Sequence, residues 1–420
     1  MSRLSGSVRR IELQNILGCM QIGWGHFPST AHLPGHGVSA GNFPAVCIPG
    51  GGRATALPVL TFPKTAPGNS AIRTLGGERH WAPLSALLAN PVEETTSVLR
   101  TQFDRIGGRQ YNNAIMTTGH VLVQDIRELL AQKQLPSGGW AAVSLSSQPS
   151  LEPTTLACMA LGPEFQSVHD RAVQFLLRIQ NSNGSWPVFA GDSQEGSWVT
   201  SLAYIALHNK IEPIPELLKA FAWLMDSAGE ESHWLWKWKF RTTDRHVRFD
   251  PDKFGWPWVP HTNSWVVPTA FSILALNQLP CACGLNAGPS RVGLGIEMLL
   301  DRACPGGGWN AGNGVVYGVA LAPHPDDTAI ALLAFTQRRQ EPTVQMSLDW
   351  LERIAPMLSA PWSLAWSILA LAAHRRPVVS LAQALSRFSD LEQLEDNSTL
   401  AVACLALDYQ RALAAFGVTA

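Results

Sequence analysis

Six apolar, Ala-rich segments recur along the second two-thirds of this chain. They end at Leu161, Leu207, Leu276, Phe335, Leu371 and Leu407. Seven residues before each end stands Thr154, Thr200, Thr269, Thr328, Leu364 or Leu400, and four before it stands Ala or Ser. A fixed small residue on one face lets a neighbouring helix approach closely. A helix apolar nearly all round must be covered on every side. No such segment is stable alone, so each needs a partner and a neighbour.

The partners lie between them. Amphipathic stretches run from Val121 to Gln132, Val168 to Ile179, Ile214 to Met225, Arg291 to Arg302, Val344 to Ile354 and Ser380 to Phe388. Six alternating pairs predict an all-α chain, an (α/α)6 barrel or toroid of six helical hairpins, with apolar helices inside. An open solenoid is the alternative. It would want polar end caps, and the last repeat, Leu400 to Leu407, is as apolar as the others.

Two regions fall outside the repeat. Residues 1–105 are expected to be an irregular or disordered arm, because His26 to Ser70 is dense in Gly, Pro, Ser and Ala and has no periodicity. Met116 precedes the first good helix, and a natural start there is consistent with the pattern, so residues 1–115 are open to assignment. The toroid is expected over 106–420. Within it, His233 to Arg241 alternates with period two, placing Trp234, Trp236, Trp238 and Phe240 on one face. That predicts a Trp-rich β-hairpin insertion at 229–260.

Composition limits the function classes. The 420 residues are 46% hydrophobic and 15% charged, with a net charge of −1. Nucleic acid is therefore not an expected partner. Sixteen Trp against four Tyr means that many wide rings are buried or line a cavity. The seven Cys are irregularly spaced, and buried thiols in a reducing compartment are expected. Cys281-Ala-Cys283 has no matching second pair, so no metal and no cofactor are expected. No secretory signal is expected, and no run of about 18 apolar residues is present. The expected location is cytoplasmic, with peripheral membrane contact or a protein partner as open alternatives.

Two junctions carry a specific signature. Gln134 to Trp140 and Gln180 to Trp186 both read Gln-x-x-x-Gly-x-Trp, and Ala303 to Trp309 keeps the Gly and Trp. Gln can bond the next helix start, Gly permits a tight turn, and Trp fills the gap between units. These junctions resemble the QW repeats of squalene-hopene cyclases and related triterpene cyclases. The resemblance covers about residues 119 to 410 and implies the α/α toroid shared by terpenoid cyclases and protein prenyltransferase β subunits. The chain is most similar to single-toroid bacterial prenyltransferase and squalene oxidase repeat proteins.

The resemblance also implies a site. Those cyclases carry Asp-x-Asp-Asp-Thr-Ala at an inner-helix start, and the middle Asp protonates the alkene or epoxide. Here Asp326, Asp327, Thr328 and Ala329 match, and His324 stands in place of the first Asp. The implied catalytic set is Asp326, Asp327 and His324, with His324 orienting Asp326. Trp198, Trp265, Trp362, Trp366 and Trp258 are candidate substrate-binding faces for a carbocation. The cyclases use two toroids and this chain has room for one. There is no Asp-x-Cys, so a protein prenyltransferase is not expected.

The chemistry suits the residues. An Asp facing an apolar cavity is held neutral by desolvation and by a neighbouring carboxylate, while His324 and the helix N-terminus favour the anion left after transfer. Two functions stay open. One is a class II (protonation-initiated) cyclase or isomerase acting on an isoprenoid or other long apolar substrate. The other is a non-catalytic toroid binding a lipid or a protein partner, with Asp326 or Asp327 serving only as a helix cap.

Overall fold

The structure is a computed structural model that describes residues 122–192, 196–208, 215–243, 249–278, 291–388 and 396–418. The chain divides into two units, residues 1–88 and 89–420, and every described residue belongs to the second. The expected N-terminal arm lies outside the described residues, as do Cys281 and Cys283.

The buried helices are α2 (Leu151–Ala160), α4 (Val199–His208), α7 (Val266–Asn277), α9 (Pro325–Ala334), α11 (Pro361–Ala373) and α13 (Asn397–Leu407). The amphipathic helices are α1 (residues 122–132), α3 (Gln166–Arg178), α5 (Pro215–Asp226), α8 (Arg291–Arg302), α10 (Pro342–Ile354) and α12 (Val379–Ser386). Each buried helix packs on the next, α2 on α4, α4 on α7, α7 on α9, α9 on α11, α11 on α13, and α13 returns to α2. The ring is closed, which settles the toroid against the open solenoid. The amphipathic helices pack outside it, each burying one apolar stripe.

Four tryptophans explain why Thr occupies the seventh position in the first four repeats. The backbone N–H groups of Trp140, Trp186, Trp256 and Trp309 donate to the hydroxyls of Thr154, Thr200, Thr269 and Thr328 at 2.8–2.9 Å. Their indole N–H groups donate to the carbonyls of Leu130, Leu176, Leu224 and Leu299 at the ends of outer helices. Each buried Trp thus ties an outer helix to the inner helix that follows. In the last two repeats the position is Leu364 or Leu400, and no Trp precedes it at a junction.

The Gln and Gly of the signature act as the sequence suggests. Gln134 donates to the carbonyl of Val168, and Gln180 to that of Glu216, each in the first turn of the next outer helix. Gly138 and Gly184 sit at φ +98° and +92°, and a Cβ there would strike the backbone of Arg171 or Lys219.

The expected β-hairpin over His233 to Arg241 is not formed. Trp234–Thr242 is a helix, α6. Nine residues alternating by two also line up at i and i+4. On the helix Trp236 stacks on Phe240 at 5.9 Å, Lys239 covers the Trp236 ring, and Lys237 and Arg241 both reach Asp252. His233 precedes the first turn and accepts from the N–H of Leu235. An isolated two-stranded ribbon has no third strand to cover it, whereas these i,i+4 pairs form within one segment. The expected return strand at 246–249 falls largely outside the described residues.

Among the described residues, strands are confined to two short antiparallel ladders. β1 (Trp140–Ala141) pairs with β2 (Pro149–Ser150), and β3 (Val315–Val316) with β4 (Val319–Ala320). A last helix, α14 (Tyr409–Ala415), packs on α2, α11 and α13. Arg411 donates to the carbonyl of Leu161, and Gln278 donates to that of Ala415. These partners lie at the C-terminal ends of α2 and α7, so α14 closes that end of the ring.

Candidate active site

The inner helices share a register, set by the Thr or Leu position. Two residues before it stand Glu152, Trp198, Val267, Asp326, Trp362 and Ser398. Two residues after it stand Leu156, Leu202, Phe271, Ile330, Trp366 and Val402. The two sets are four apart and share a helix face. Phe271 on α7 meets Trp366 on α11 at 5.6 Å, although α9 stands between those helices in the ring. That contact crosses the middle of the toroid, so this face is the one turned to the axis.

The aromatic residues form a continuous bar. Trp258 meets Trp198 edge-on at 5.0 Å, Trp198 meets Phe271 at 5.9 Å, and Trp362 meets Trp366 at 5.7 Å. Phe416, just beyond α14, approaches Trp366 from the closed end at 6.0 Å. Phe271, Trp366 and Phe416 are buried and make a floor, while Trp198 and Trp362 are partly exposed above it. The buried indole N–H of Trp366 finds no acceptor among the described residues. Of the five expected aromatic faces, Trp198, Trp258, Trp362 and Trp366 come together. Trp265 does not join them: it is the residue before α7, and its ring lies beside Gly312.

The acids occupy the rim at the end where inner helices begin. Asp326 and Asp327 lie in the first turn of α9, and His324 is the residue before it. No side chain caps this helix through His324, whereas Asp396 caps α13 through the N–H groups of Ser398 and Thr399. The imidazole pairs with Asp327 at 2.8 Å and not with Asp326, as the sequence had suggested. Asp327 sits one position off the axial row and its side chain is 14% exposed. Burial, and then the charge of Asp326, push its carboxyl from 3.8 up to about 6, with His324 pulling the other way.

A third acid was missed in the sequence. Glu152 occupies on α2 the same register as Asp326 on α9, and the two helices are opposite one another in the ring of six. Burial, and then Asp396, raise its carboxyl from 4.5 to about 7. Trp198 and Trp362 hold the same register on a second opposed pair, α4 and α11. The row therefore alternates around the mouth as acid, Trp, Val, acid, Trp, Ser. The signal for Glu152 was its spacing from Thr154, equal to that of Asp326 from Thr328.

Among the described residues no group of three or more His, Cys, Asp and Glu is placed to hold a metal ion. No described helix is long and apolar enough to cross a membrane.

No family model matches the sequence, and no curated protein matches it. Solved structures are similar. A variant of the type II terpene cyclase MstE from Scytonema, in complex with its product merosterolic acid A, aligns with a TM-score of 0.45 at 11% identity, covering 71% of this chain and 99% of that one. A second variant, holding the substrate geranylgeranyl dihydroxybenzoate, gives 0.44 at 12%, covering 72% and 99%. A third, without ligand, gives 0.43 at 13%, covering 71% and 99%. The likeness assigns no residue a role.

Proposed function

We propose that this toroid is a protonation-initiated, class II cyclase or isomerase of the terpenoid cyclase type, acting on an isoprenoid or other long apolar alkene. The observation that carries the reading is the axial row. Asp326 and Glu152 stand on opposed helices at the mouth, with Trp198 and Trp362 between them and an apolar aromatic floor beneath. A saturated scaffold has no use for two acids in that row, since the other four repeats hold Trp, Val, Trp and Ser there.

The acid must carry its proton when the alkene arrives. Asp326 donates its proton to one alkene carbon. The π pair becomes the new C–H bond, and the adjacent carbon is left cationic. The faces of Trp198, Trp258, Trp362 and Trp366 stabilise that cation and exclude water. Loss of a C–H proton from the rearranged cation, its electron pair forming the product alkene, ends the reaction, and return of one proton to the Asp326 carboxylate restores charge balance. Asp327, held by His324, supplies a second carboxyl beside the donor. Glu152 faces the opposite end of the bound chain.

Incubation of the purified protein with a panel of polyprenyl substrates, with products read by mass, is the test. Asp326→Ala is expected to abolish turnover while helical content and melting temperature stay nearly unchanged. Continued conversion by that variant, or no binding of any polyprenoid by the parent, sinks the reading.

A second reading keeps the ligand and drops the chemistry. The bar from Trp198 through Phe271 and Trp366 to Trp362 spans the axis, with Trp198 and Trp362 partly exposed above it. A toroid that holds a lipid tail against those rings without converting it would bind polyprenoids, yield no product, and keep its affinity in Asp326→Ala.

A further inference from the structure

Helix α6 belongs to neither ring. The end of α6, residues of the 249–253 segment beyond it, the end of α8 and the connection into β3 together line a cleft of about 900 Å³. That is the size of a small-molecule site, about 300–1,000 Å³. Among the described residues no inner helix contributes to its lining, so the cleft is separate from the axial row. Its apolar part is built from Phe240, Phe249, Leu300 and Val315, with the two phenyl rings edge-on at 4.7 Å.

The charged part is Arg241, Asp250, Lys253 and Asp301. The acids here are already engaged. Asp250 accepts from the N–H of Asp252, and Asp301 accepts from the N–H of Asp250. Asp252 holds both Lys237 and Arg241. The buried guanidinium of Arg302 lies against the Phe249 ring at 4.1 Å, with Glu231 at 3.6 Å and Asp301 at 3.8 Å. Glu231 in turn accepts from the N–H of Ser264.

Lys253 stands apart from this network. Its side chain is half-buried in the cleft, and its ammonium makes no hydrogen bond or ion pair among the described residues. An ammonium partly withdrawn from water without a counter-ion is costly. A bound anion offsets that cost through charge-assisted hydrogen bonds. Asp250 and Asp301 on the same lining oppose a second negative charge. The cleft therefore suits one negative charge, and its phenyl and aliphatic walls suit an apolar body attached to it.

We propose that this cleft binds a small amphipathic monocarboxylate, its carboxylate on Lys253 and its apolar body against Phe240, Phe249, Leu300 and Val315. The site is a second one, off the axis, and it stands whether or not the ring is catalytic.

The test is titration calorimetry of the full chain with 3-phenylpropionate, compared with the neutral 3-phenylpropanol and with inorganic phosphate. Saturable binding of 3-phenylpropionate is expected, with both comparators at least about tenfold weaker. Lys253→Gln is expected to lose about tenfold in affinity for the carboxylate, and Lys253→Arg to keep most of it. Neither variant is expected to change the melting temperature, because the ammonium has no partner within the protein to lose. Asp326→Ala, at the mouth of the ring, is expected to bind the carboxylate as the parent does. The proposal is overturned by a lack of saturable binding, by equal affinity in Lys253→Gln, or by equal affinity for the alcohol or for phosphate. Lost binding in Asp326→Ala would also overturn it, by moving the carboxylate to the axis. A lower melting temperature in Lys253→Gln would do so too, by showing that the ammonium serves the fold.

Discussion

The Nδ1 atom of His324 stands 2.8 Å from a carboxylate oxygen of Asp327, three residues on, at the mouth of the ring. The imidazole is 58% exposed and the carboxylate 14%. An exposed ion pair of this kind adds little to stability, about 0–1 kcal/mol. Its effect is on the proton. Burial and Asp326 raise the Asp327 carboxyl, and His324 restrains the rise. In His324→Ala the restraint is gone, and the Asp327 midpoint is expected to climb above about 6. A carboxyl-carbon NMR titration reads this directly. A midpoint that stays at the parent value or falls would show that the pair does not set the proton affinity.

Glu152 makes a test on stability. Its carboxyl rises from 4.5 to about 7 on folding. A raised acid favours the folded state while it is protonated. That contribution is complete below 4.5 and is lost as pH climbs through about 7. Glu152→Gln removes the loss. The variant is expected to match the parent at low pH and to exceed it above pH 7, by at most about 3 kcal/mol and less where solvent screens the partly exposed group. Chemical denaturation at both pH values is the measurement. A variant that is less stable than the parent above pH 7 would mean that the ionised carboxylate has a favourable partner.

The threonine hydroxyls that receive the tryptophan N–H groups are equally open to measurement. Thr200→Val keeps the shape and removes the acceptor for Trp186, leaving a buried N–H unpaired. The cost is expected to be about 1–3 kcal/mol. Thr154→Val should cost about the same at Trp140. Urea unfolding of the two variants checks it. Near-zero costs would leave the recurring Thr without a structural reason.

The toroid was legible because its cause is periodic. Apolar segments of fixed length with Thr at one end and a small residue in the middle can be counted without a structure. The closure was legible for the same reason, since six equal faces leave no polar end. The α6 error has a different origin. Trp234 to Arg241 satisfies period two and i,i+4 together, and eight residues are too few to separate them. Trp256 was not recognised as the fourth junction Trp because the insertion carries no Gln-x-x-x-Gly before it, although Thr269 follows at nearly the spacing of Thr154 from Trp140. Glu152 was passed over because a lone acid looks like a first-turn residue, and only the shared register sets it opposite Asp326. The pairing of His324 with Asp327 in place of Asp326 depends on side-chain direction in a single turn, which no pattern of residue types contains.

The aromatic floor offers the last test. Trp366 is 1% exposed and touches Phe271, Trp362 and Phe416, so it links α11 to α7 across the axis and to the residue that follows α14. Trp366→Ala is expected to cost about 3–5 kcal/mol, the loss of a wide buried ring plus the void it leaves. Trp366→Phe keeps an aromatic face and should cost less. The void opens onto the axial row, so the two variants also separate packing from ligand capacity. If the axial face takes an apolar chain, a saturating polyprenyl alcohol should raise the melting temperature of Trp366→Ala by more than that of the parent, because ligand carbon now fills space that indole held. An equal rise in both would place the ligand away from the axis. A cost near zero for Trp366→Ala would mean that the aromatic bar does not hold the ring together.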